Sequence, residues 1–254
     1  MWGIIPAAGL GSRIQPLAFS KELLPVGSER HRGIERPRAV SDFVLERMTL
    51  AAVSRICFVI APGKSDILEY YGDRAYSANI CYTVQPSPQG LCDAIFRAMP
   101  FINPEERVMV GLPDTIWFPE NALCALPDMP LSFLLFPVDD PERFDAVIVD
   151  EEGRVLEIQV KHARPETRWI WGAFSLSGQV MRDLHALWIE RSRRDEFIGT
   201  LVNAYIHQGG EARAVYGGES YLDVGTIGGY RHAMRTFGNG GRQAAPMVRA
   251  GRPG

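Results

Sequence analysis

The sequence predicts an α/β fold built on a doubly wound, mostly parallel sheet. Three observations predict it. Short apolar runs alternate with helix-periodic stretches through the first half of the chain, the pattern of strands joined by helical crossovers. The first apolar run opens onto a glycine turn, Ala7-Ala8-Gly9-Leu10-Gly11-Ser12-Arg13. That turn, Gln85 and Asp114 all fall at the carboxyl ends of predicted strands, where open sheets of this kind bind ligands.

Residues 1–7 form the first buried strand. The polar stretch 27–38, with Arg30, His31, Arg32, Arg36 and Arg38, reads as a loop. Pro37 and Ser41 open an apolar-periodic helix through Val44, Met48 and Ala51. Residues 55–61 are a second strand, 65–71 a short helix, 80–85 a third strand, 86–90 a turn and 91–99 a helix. Residues 108–112 are a fourth strand, ending at Pro113-Asp114, and 131–138 a fifth. The second half changes character. Strands at 144–149 and 154–161 flank Asp150-Glu151-Glu152-Gly153, a hairpin turn. A strand at 169–175, amphipathic helices at 179–191 and 196–208, a strand at 212–216 and a helix at 226–235 follow. Residues 238–254, rich in Gly with Arg, Pro and Ala, are expected to form a flexible tail.

The bulk numbers exclude several classes. With 254 residues, 46% hydrophobic and 22% charged, the chain is an ordinary globular sequence with ample core. A formal net charge of -3 argues against a nucleic-acid coat or an anionic-membrane partner. No apolar stretch is long enough to span a bilayer, and no signal peptide is expected at the N-terminus. Cys57, Cys81, Cys92 and Cys124 show no CxxC spacing and complete no zinc pattern with the five histidines. Cys57 and Cys81 lie in apolar runs and read as core thiols in a reducing cytoplasm.

The chemistry starts at the glycine turn. Gly9 and Gly11 let backbone approach a ligand, and the amides of such a turn can hold phosphate oxygens. Ser12 adds a hydroxyl. Arg13 and Lys21, the latter in Ser20-Lys21-Glu22-Leu23-Leu24-Pro25-Val26, place two cations where a triphosphate would need neutralising. A dinucleotide fingerprint fails because its third glycine position is Ile14, and no Gly-Lys-Ser/Thr follows as a P-loop requires. Asp114 and Asp223 each end an apolar run, and two carboxylates brought together suit Mg²⁺, which takes few protein ligands plus substrate phosphates. Gln85 can read a base edge through its amide. Lys161 ends a strand. Alone, these residues also read as a pair of turn aspartates, a turn glutamine and a solvated lysine; the phosphate turn beside them points to a site.

In order along the chain, the motifs Gly9-Leu10-Gly11-Ser12-Arg13, 21–26, 85–91, 112–116 and 221–226 resemble those of the sugar-1-phosphate nucleotidylyltransferases, or sugar-nucleotide pyrophosphorylases. Within that family the chain resembles the glucose-1-phosphate thymidylyl- and uridylyltransferases. The resemblance implies a Rossmann-like sheet of the nucleotide-diphospho-sugar transferase type with an inserted sugar-side β-hairpin region. It implies one domain over 1–237, with a nucleotide-binding half (1–140) and a sugar-binding half (141–237). By resemblance, Arg13 and Lys21 hold the triphosphate and stabilise the transition state at the α-phosphate. Ala8, Gly9, Gly11, Ser12, Gln85 and Gly90 contact the nucleotide, Lys161 and Gly172 the sugar phosphate, and Asp114 and Asp223 a Mg²⁺ ion. The substrates implied are a nucleoside triphosphate and a sugar-1-phosphate, with no nucleic acid and no membrane; the base, the sugar and any homo-oligomer stay open.

Several positions depart from the family pattern. Ser12 replaces a threonine, Leu112-Pro113-Asp114-Thr115 replaces Gly-Asp-Asn/Asp, and Glu35-Arg36-Pro37-Arg38-Ala39-Val40 replaces Lys-Pro-Met/Leu-Ile. On the sugar side, Val160-Lys161-His162 replaces Glu-Lys-Pro, and Asp145 stands for a glycine. These departures keep two other readings open, a non-catalytic binding homologue and a cytidylyltransferase acting on a non-sugar phosphate. For the main reading no general base is needed, because a phosphomonoester is already anionic near pH 7.

Overall fold

The computed structural model describes residues 1–31 and 33–238, so all of the expected tail at 238–254 except Gly238 lies outside the described residues. The chain runs β1 (Trp2–Pro6), β2 (Pro25–His31), β3 (Ile34–Ala39), α1 (Val40–Leu50), β4 (Arg55–Ile60), α2 (Ser65–Tyr71), β5 (Arg74–Ala75), β6 (Ala78–Val84), α3 (Gly90–Phe96), β7 (Arg107–Gly111) and β8 (Thr115–Phe118). It continues through β9 (Leu131–Pro137), β10 (Asp145–Val149), β11 (Val155–Val160), β12 (Trp169–Ser177), α4 (Gly178–Glu190), α5 (Ile198–His207), β13 (Arg213–Val215), β14 (Ser220–Asp223) and α6 (Ile227–Phe237).

The main sheet has ten strands in the order β11-β10-β12-β7-β1-β4-β6-β5, with β9 and β13 branching from β12. Its centre, β7-β1-β4-β6, is parallel. Both faces of this centre are buried, and the strands are apolar at successive positions for that reason. Ile4, Cys57 and Val110 face one core layer and Ile5, Phe58 and Met109 the other. From β7 outward, β12, β10 and β11 add antiparallel, and β10–β11 is the hairpin expected from the sequence. The expected α/β class with a parallel centre is therefore the observed one. Cys57 is buried, Cys81 half-buried beside it in register, and both are free thiols. No helix among the described residues is long and apolar enough to cross a membrane.

Two expectations are corrected. Residues 27–38 are not a loop: β2 and β3 pair as a separate antiparallel ribbon. The ribbon carries polar side chains on both faces, and β3 is exposed through Pro37, so it lacks the apolar alternation by which a strand is read. The second correction concerns 115–118 and 220–223, which the sequence left outside any element. They form a two-stranded antiparallel sheet, β8–β14, with Thr115 opposite Asp223.

Candidate active site

The glycine turn leaves β1 at Ala7, whose N–H donates to Val59 O (2.8 Å). Ile14 N–H closes the turn onto Gly11 O (2.9 Å), and the buried Ile14 side chain anchors it against Leu24, Val26 and Phe43. Gly11 has φ +66°, and a Cβ there would lie 2.9 Å from the Lys21 stem. Glycine is thus required twice, by conformation and by the close passage of Lys21. Among the described residues, the amides of residues 8–13 donate no hydrogen bond to the protein. A run of unpaired backbone N–H groups is an anion cradle.

Lys64, which the sequence reading did not single out, holds this turn from behind. Its ammonium donates to Ala7 O (2.7 Å), Gly9 O (2.8 Å) and both carboxylate oxygens of the fully buried Glu22 (2.8 Å each). Pulling two carbonyls toward Lys64 constrains the peptide planes that carry the free amides. Burial pushes the Glu22 carboxyl above the usual carboxylate range, with Lys64 and then Lys21 opposing it. Nearby, Asp66 accepts from Ser20 N–H and Oγ–H, both at 2.6 Å, and fixes the approach to Lys21. Neither Lys64 nor Asp66 carries a local signal, since each acts across more than forty residues of chain.

In front of the turn lie two cation–carboxylate pairs. Lys21 Nζ donates to Asp114 Oδ2, and Arg13 Nη1 to Asp223 Oδ2 at 3.1 Å. Arg143 Nη2 stands 3.8 Å from the same Asp223 oxygen. The β8–β14 pairing brings the two aspartates together: Val224 N–H donates to Asp114 O (2.8 Å), and Gly225 sits between the carboxylates. A Cβ on Gly225 would lie 2.7 Å from Asp114 Oδ2, 3.0 Å from Asp223 Oδ1 and 3.4 Å from Arg13. The missing side chain leaves a small cradle facing both carboxylates.

Burial would raise the Asp114 carboxyl and lower the Lys21 ammonium. Their mutual attraction outweighs burial, so Asp114 lies below and Lys21 above its usual value. The depressed Asp114 gives stability that is present above its unfolded pKa and lost as pH falls through its folded one. The raised Lys21 gives stability that is lost only as pH rises through its own folded value. Among the described residues no group of three or more His, Cys, Asp or Glu forms a cation cage. Two carboxylates around the Gly225 cradle fit an ion that takes the rest of its ligands from phosphates and water, as Mg²⁺ does.

Gln85 follows β6 and is buried. Its Nε2 donates to Asp93 Oδ2 (2.9 Å) and to Gly90 O (3.1 Å), while Arg97 grips Asp93. A carboxylate only accepts, so the amide nitrogen must face it. The amide cannot turn to suit several base edges, as the sequence alone allowed; the carbonyl Oε1 is its remaining polar group. Gly90 has φ +85°, and a Cβ there would meet the Glu196 backbone at 2.6 Å. The second half of the chain therefore reaches the Gln85 end of the site just before α5.

Lys161 follows β11 with φ +47°. Its Nζ donates to Arg143 O (2.7 Å), lies 3.8 Å from Asp145 Oδ1 and sits 5.8 Å from the Phe144 ring centroid. Gly172 lies at a bulge between β12 and β9, and the place of its side chain is taken by the rings of Phe136 and Tyr221, each 2.6 Å from an added Cβ. Gly172 thus admits two rings rather than itself presenting a surface. Tyr221 is the hub of this side: burial pushes its hydroxyl far above the usual range, and the charges of Asp114, Asp223 and Asp145 add to the effect. A cavity of about 420 Å³ adjoins it, lined by Arg143, Phe144, Arg168, Asp223 and His232 among others. The sequence reading passed over Arg143, although it lies one residue before Phe144 in Asp139-Asp140-Pro141-Glu142-Arg143.

Arg13, Lys21, Asp114 and Asp223 thus converge on one place, Ala8, Gly9, Gly11 and Ser12 cradle it, Gln85 and Gly90 stand at a neighbouring strand end, and Lys161 approaches from the hairpin. The family model described as nucleotidyl transferase matches residues 2–239. The glucose-1-phosphate thymidylyltransferase of Neisseria meningitidis serogroup A is 29% identical over 89% of this chain and 78% of its own length. The D-glycero-alpha-D-manno-heptose 1-phosphate guanylyltransferase of Campylobacter jejuni is 22% identical over 92% of this chain and 99% of its own. A crystal structure of a glucose-1-phosphate thymidylyltransferase homologue from Bacillus anthracis, in complex with a sucrose, shares the fold with a TM-score of 0.78 at 23% identity, covering 93% of this chain and 95% of that one. A UTP-bound UGPase from Acinetobacter baumannii superposes with a TM-score of 0.76 at 20% identity over 95% and 94% of the two chains. With its sheet, its glycine turn and its ordered motifs accounted for, the chain belongs to the nucleotidyl transferase family, of the sugar-1-phosphate nucleotidylyltransferase kind that those motifs resemble.

Proposed function

We propose that the protein condenses a sugar-1-phosphate with a nucleoside triphosphate to give a nucleoside-diphosphate sugar and pyrophosphate, with Mg²⁺ as cofactor. The observation that carries this reading is the run of unpaired amides at residues 8–13, backed by Lys64 and faced by the Arg13–Asp223 and Lys21–Asp114 pairs. In the reaction, an oxygen of the sugar phosphate forms a bond to the α-phosphorus. The bond from that phosphorus to the bridging oxygen of the β-phosphate breaks, and pyrophosphate leaves with the electron pair. No proton has to be removed from the nucleophile, so the residues have positioning and charge neutralisation to perform.

Arg13 and Lys21 offset the charge of the triphosphate, and the amides fix its oxygens. Arg143 and Lys161 lie where a second anion would need cations, which relieves repulsion between the two phosphorylated substrates. Asp114 and Asp223 would hold Mg²⁺, whose charge stabilises the departing pyrophosphate. The Gln85 carbonyl accepts a hydrogen bond, which suits a base edge presenting an N–H, such as N3–H of uracil or thymine. The named relatives act on glucose-1-phosphate and on a heptose 1-phosphate, which supports a hexose or heptose phosphate as the second substrate. A matrix of UTP, dTTP, CTP, GTP and ATP against several sugar-1-phosphates, read as pyrophosphate release with Mg²⁺ and with a chelator, tests the reading. The expected result is chelator-sensitive turnover for at least one uracil or thymine combination. No release in any combination would overturn it.

A further inference from the structure

The ribbon β2–β3, which the proposed reaction does not use, forms one wall of a cavity of about 850 Å³. The facing wall comes from α2, with Tyr70 and Tyr71, and from β5 and the turn after it, with Arg74 and Tyr76. None of these residues lines the cavity beside Tyr221, so the two are separate places on the molecule. The volume is that of an ordinary small-molecule site. The ribbon is also where residues 35–40 depart from the family pattern.

Four arginines line it, Arg30, Arg36, Arg38 and Arg74, against two carboxylates, Glu29 and Asp42. The carboxylates are engaged elsewhere. Asp42 accepts from Ala39 N–H (2.8 Å), Tyr71 O–H (3.0 Å) and Tyr70 O–H (3.4 Å). Glu29 stands opposite Arg36 in the ribbon register, yet it accepts from the Tyr76 hydroxyl (3.4 Å) and not from the arginine. Arg38 is engaged too: it donates to Glu46 (2.6 Å) and lies 3.7 Å over the Phe43 ring centroid. Arg30, Arg36 and Arg74 are exposed, and among the described residues their guanidinium groups have no ion pair or hydrogen bond. Gathered on one cavity, such forks match the oxygens of a phosphate.

The tyrosines add a second kind of contact. Their hydroxyls face Asp42 and Glu29, while the residues remain open, Tyr70 at 51% and Tyr76 at 42% exposure. Tyr76 begins the two-residue turn between β5 and β6 at φ +53°. Such turns favour Asn or Gly at that position, so a tyrosine there is strained, and strain of this kind collects at ligand sites. The wall behind is rigid: Tyr71 O–H lies 2.6 Å from Ser41 Oγ, which donates to Glu22 O (2.6 Å).

We propose that this cavity is a second ligand site, which takes a nucleotide with its phosphates on Arg36 and Arg74 and its base against the rings of Tyr70 and Tyr76. It stands apart from the reaction proposed above. Hydrogen exchange of the full chain, read by mass spectrometry with UDP and with ADP, tests it, because the glycine turn at 8–13 and the cavity walls at 34–38 and 70–76 fall in different peptides. Both nucleotides are used because stacking does not choose the base. The expected result is a saturable slowing of exchange at the cavity walls. R36A/R74A and Y76N should each weaken it by roughly tenfold or more, with protection of the turn unchanged. Uridine and pyrophosphate, which each lack one half of the ligand, should also bind the cavity roughly tenfold more weakly or worse. Pyrophosphate release by R36A/R74A should stay within about twofold of the wild type, and Y76N should unfold at an unchanged or higher urea midpoint, since Asn suits the left-handed backbone.

Protection confined to the turn with both nucleotides overturns the site. So does cavity protection that R36A/R74A or Y76N leaves intact, or pyrophosphate that binds the cavity as well as UDP and ADP do. Cavity protection without protection of the turn supports the second site and counts against the proposed reaction, so the two can fail separately.

Discussion

Around the glycine turn the buried charges are paired. Lys64 satisfies Glu22 and two carbonyls, and Lys21 satisfies Asp114. Around the hairpin β10–β11, Asp145 and Trp171 each keep a buried polar atom without a partner, and the nearest cation is half-exposed. Both regions are built on well-packed strands, so loose folding does not explain the difference. In the proposed reaction the triphosphate is recognised by charge, and cations and carboxylates hold each other in its absence. The unpaired atoms lie where the sequence departs from the family pattern, at Asp145 beside Val160.

The contrast can be broken most severely at Lys64. Lys64→Met strands the Glu22 carboxylate in the core, with an expected loss of about 3–5 kcal/mol of stability in urea unfolding. Adding Glu22→Gln should restore part of it; a full-strength protein with Lys64→Met alone would show that the turn is not held by charge. Asp114→Asn and Asp223→Asn come next. Each should cut pyrophosphate release by roughly 10²-fold or more while the fold persists, and near wild-type rates in both would remove them from the site. Gly172→Ala probes packing around Tyr221. A methyl pressed against Phe136 and Tyr221 should cost about 1–3 kcal/mol, read as a lowered urea midpoint, and an unchanged midpoint would mean that the two rings yield freely. Lys161→Ala is the mildest. A sugar-phosphate KM raised by about tenfold with an unchanged nucleotide KM would sharpen the division of labour, and a change confined to the nucleotide KM would erase it.

Legibility followed the range of the interaction. Arg13, Lys21, Gln85 and Asp114 could be found because a strand end, a turn and a nearby polar residue are neighbours in sequence. Lys64 could not, because a lysine before a short helix looks like any solvated cation until the glycine turn is folded onto it. The ribbon β2–β3 escaped notice because neither of its faces is apolar. Strands β8 and β14 escaped because each is only four residues long and their partner is distant.

From its own pattern the chain determined the alternation of strand and helix, the phosphate turn, the hairpin and the charge types at the site. These depend on periodicity, glycine and local polarity, which act over a few residues. Only the tertiary structure decided that Asp114 and Asp223 meet across Gly225, that Gln85 has a single amide orientation, and that Asp145 stands opposite Val160 beside Trp171. Each of these is a contact between segments whose separation in the chain carries no signal, set by strand register and by the burial of both partners.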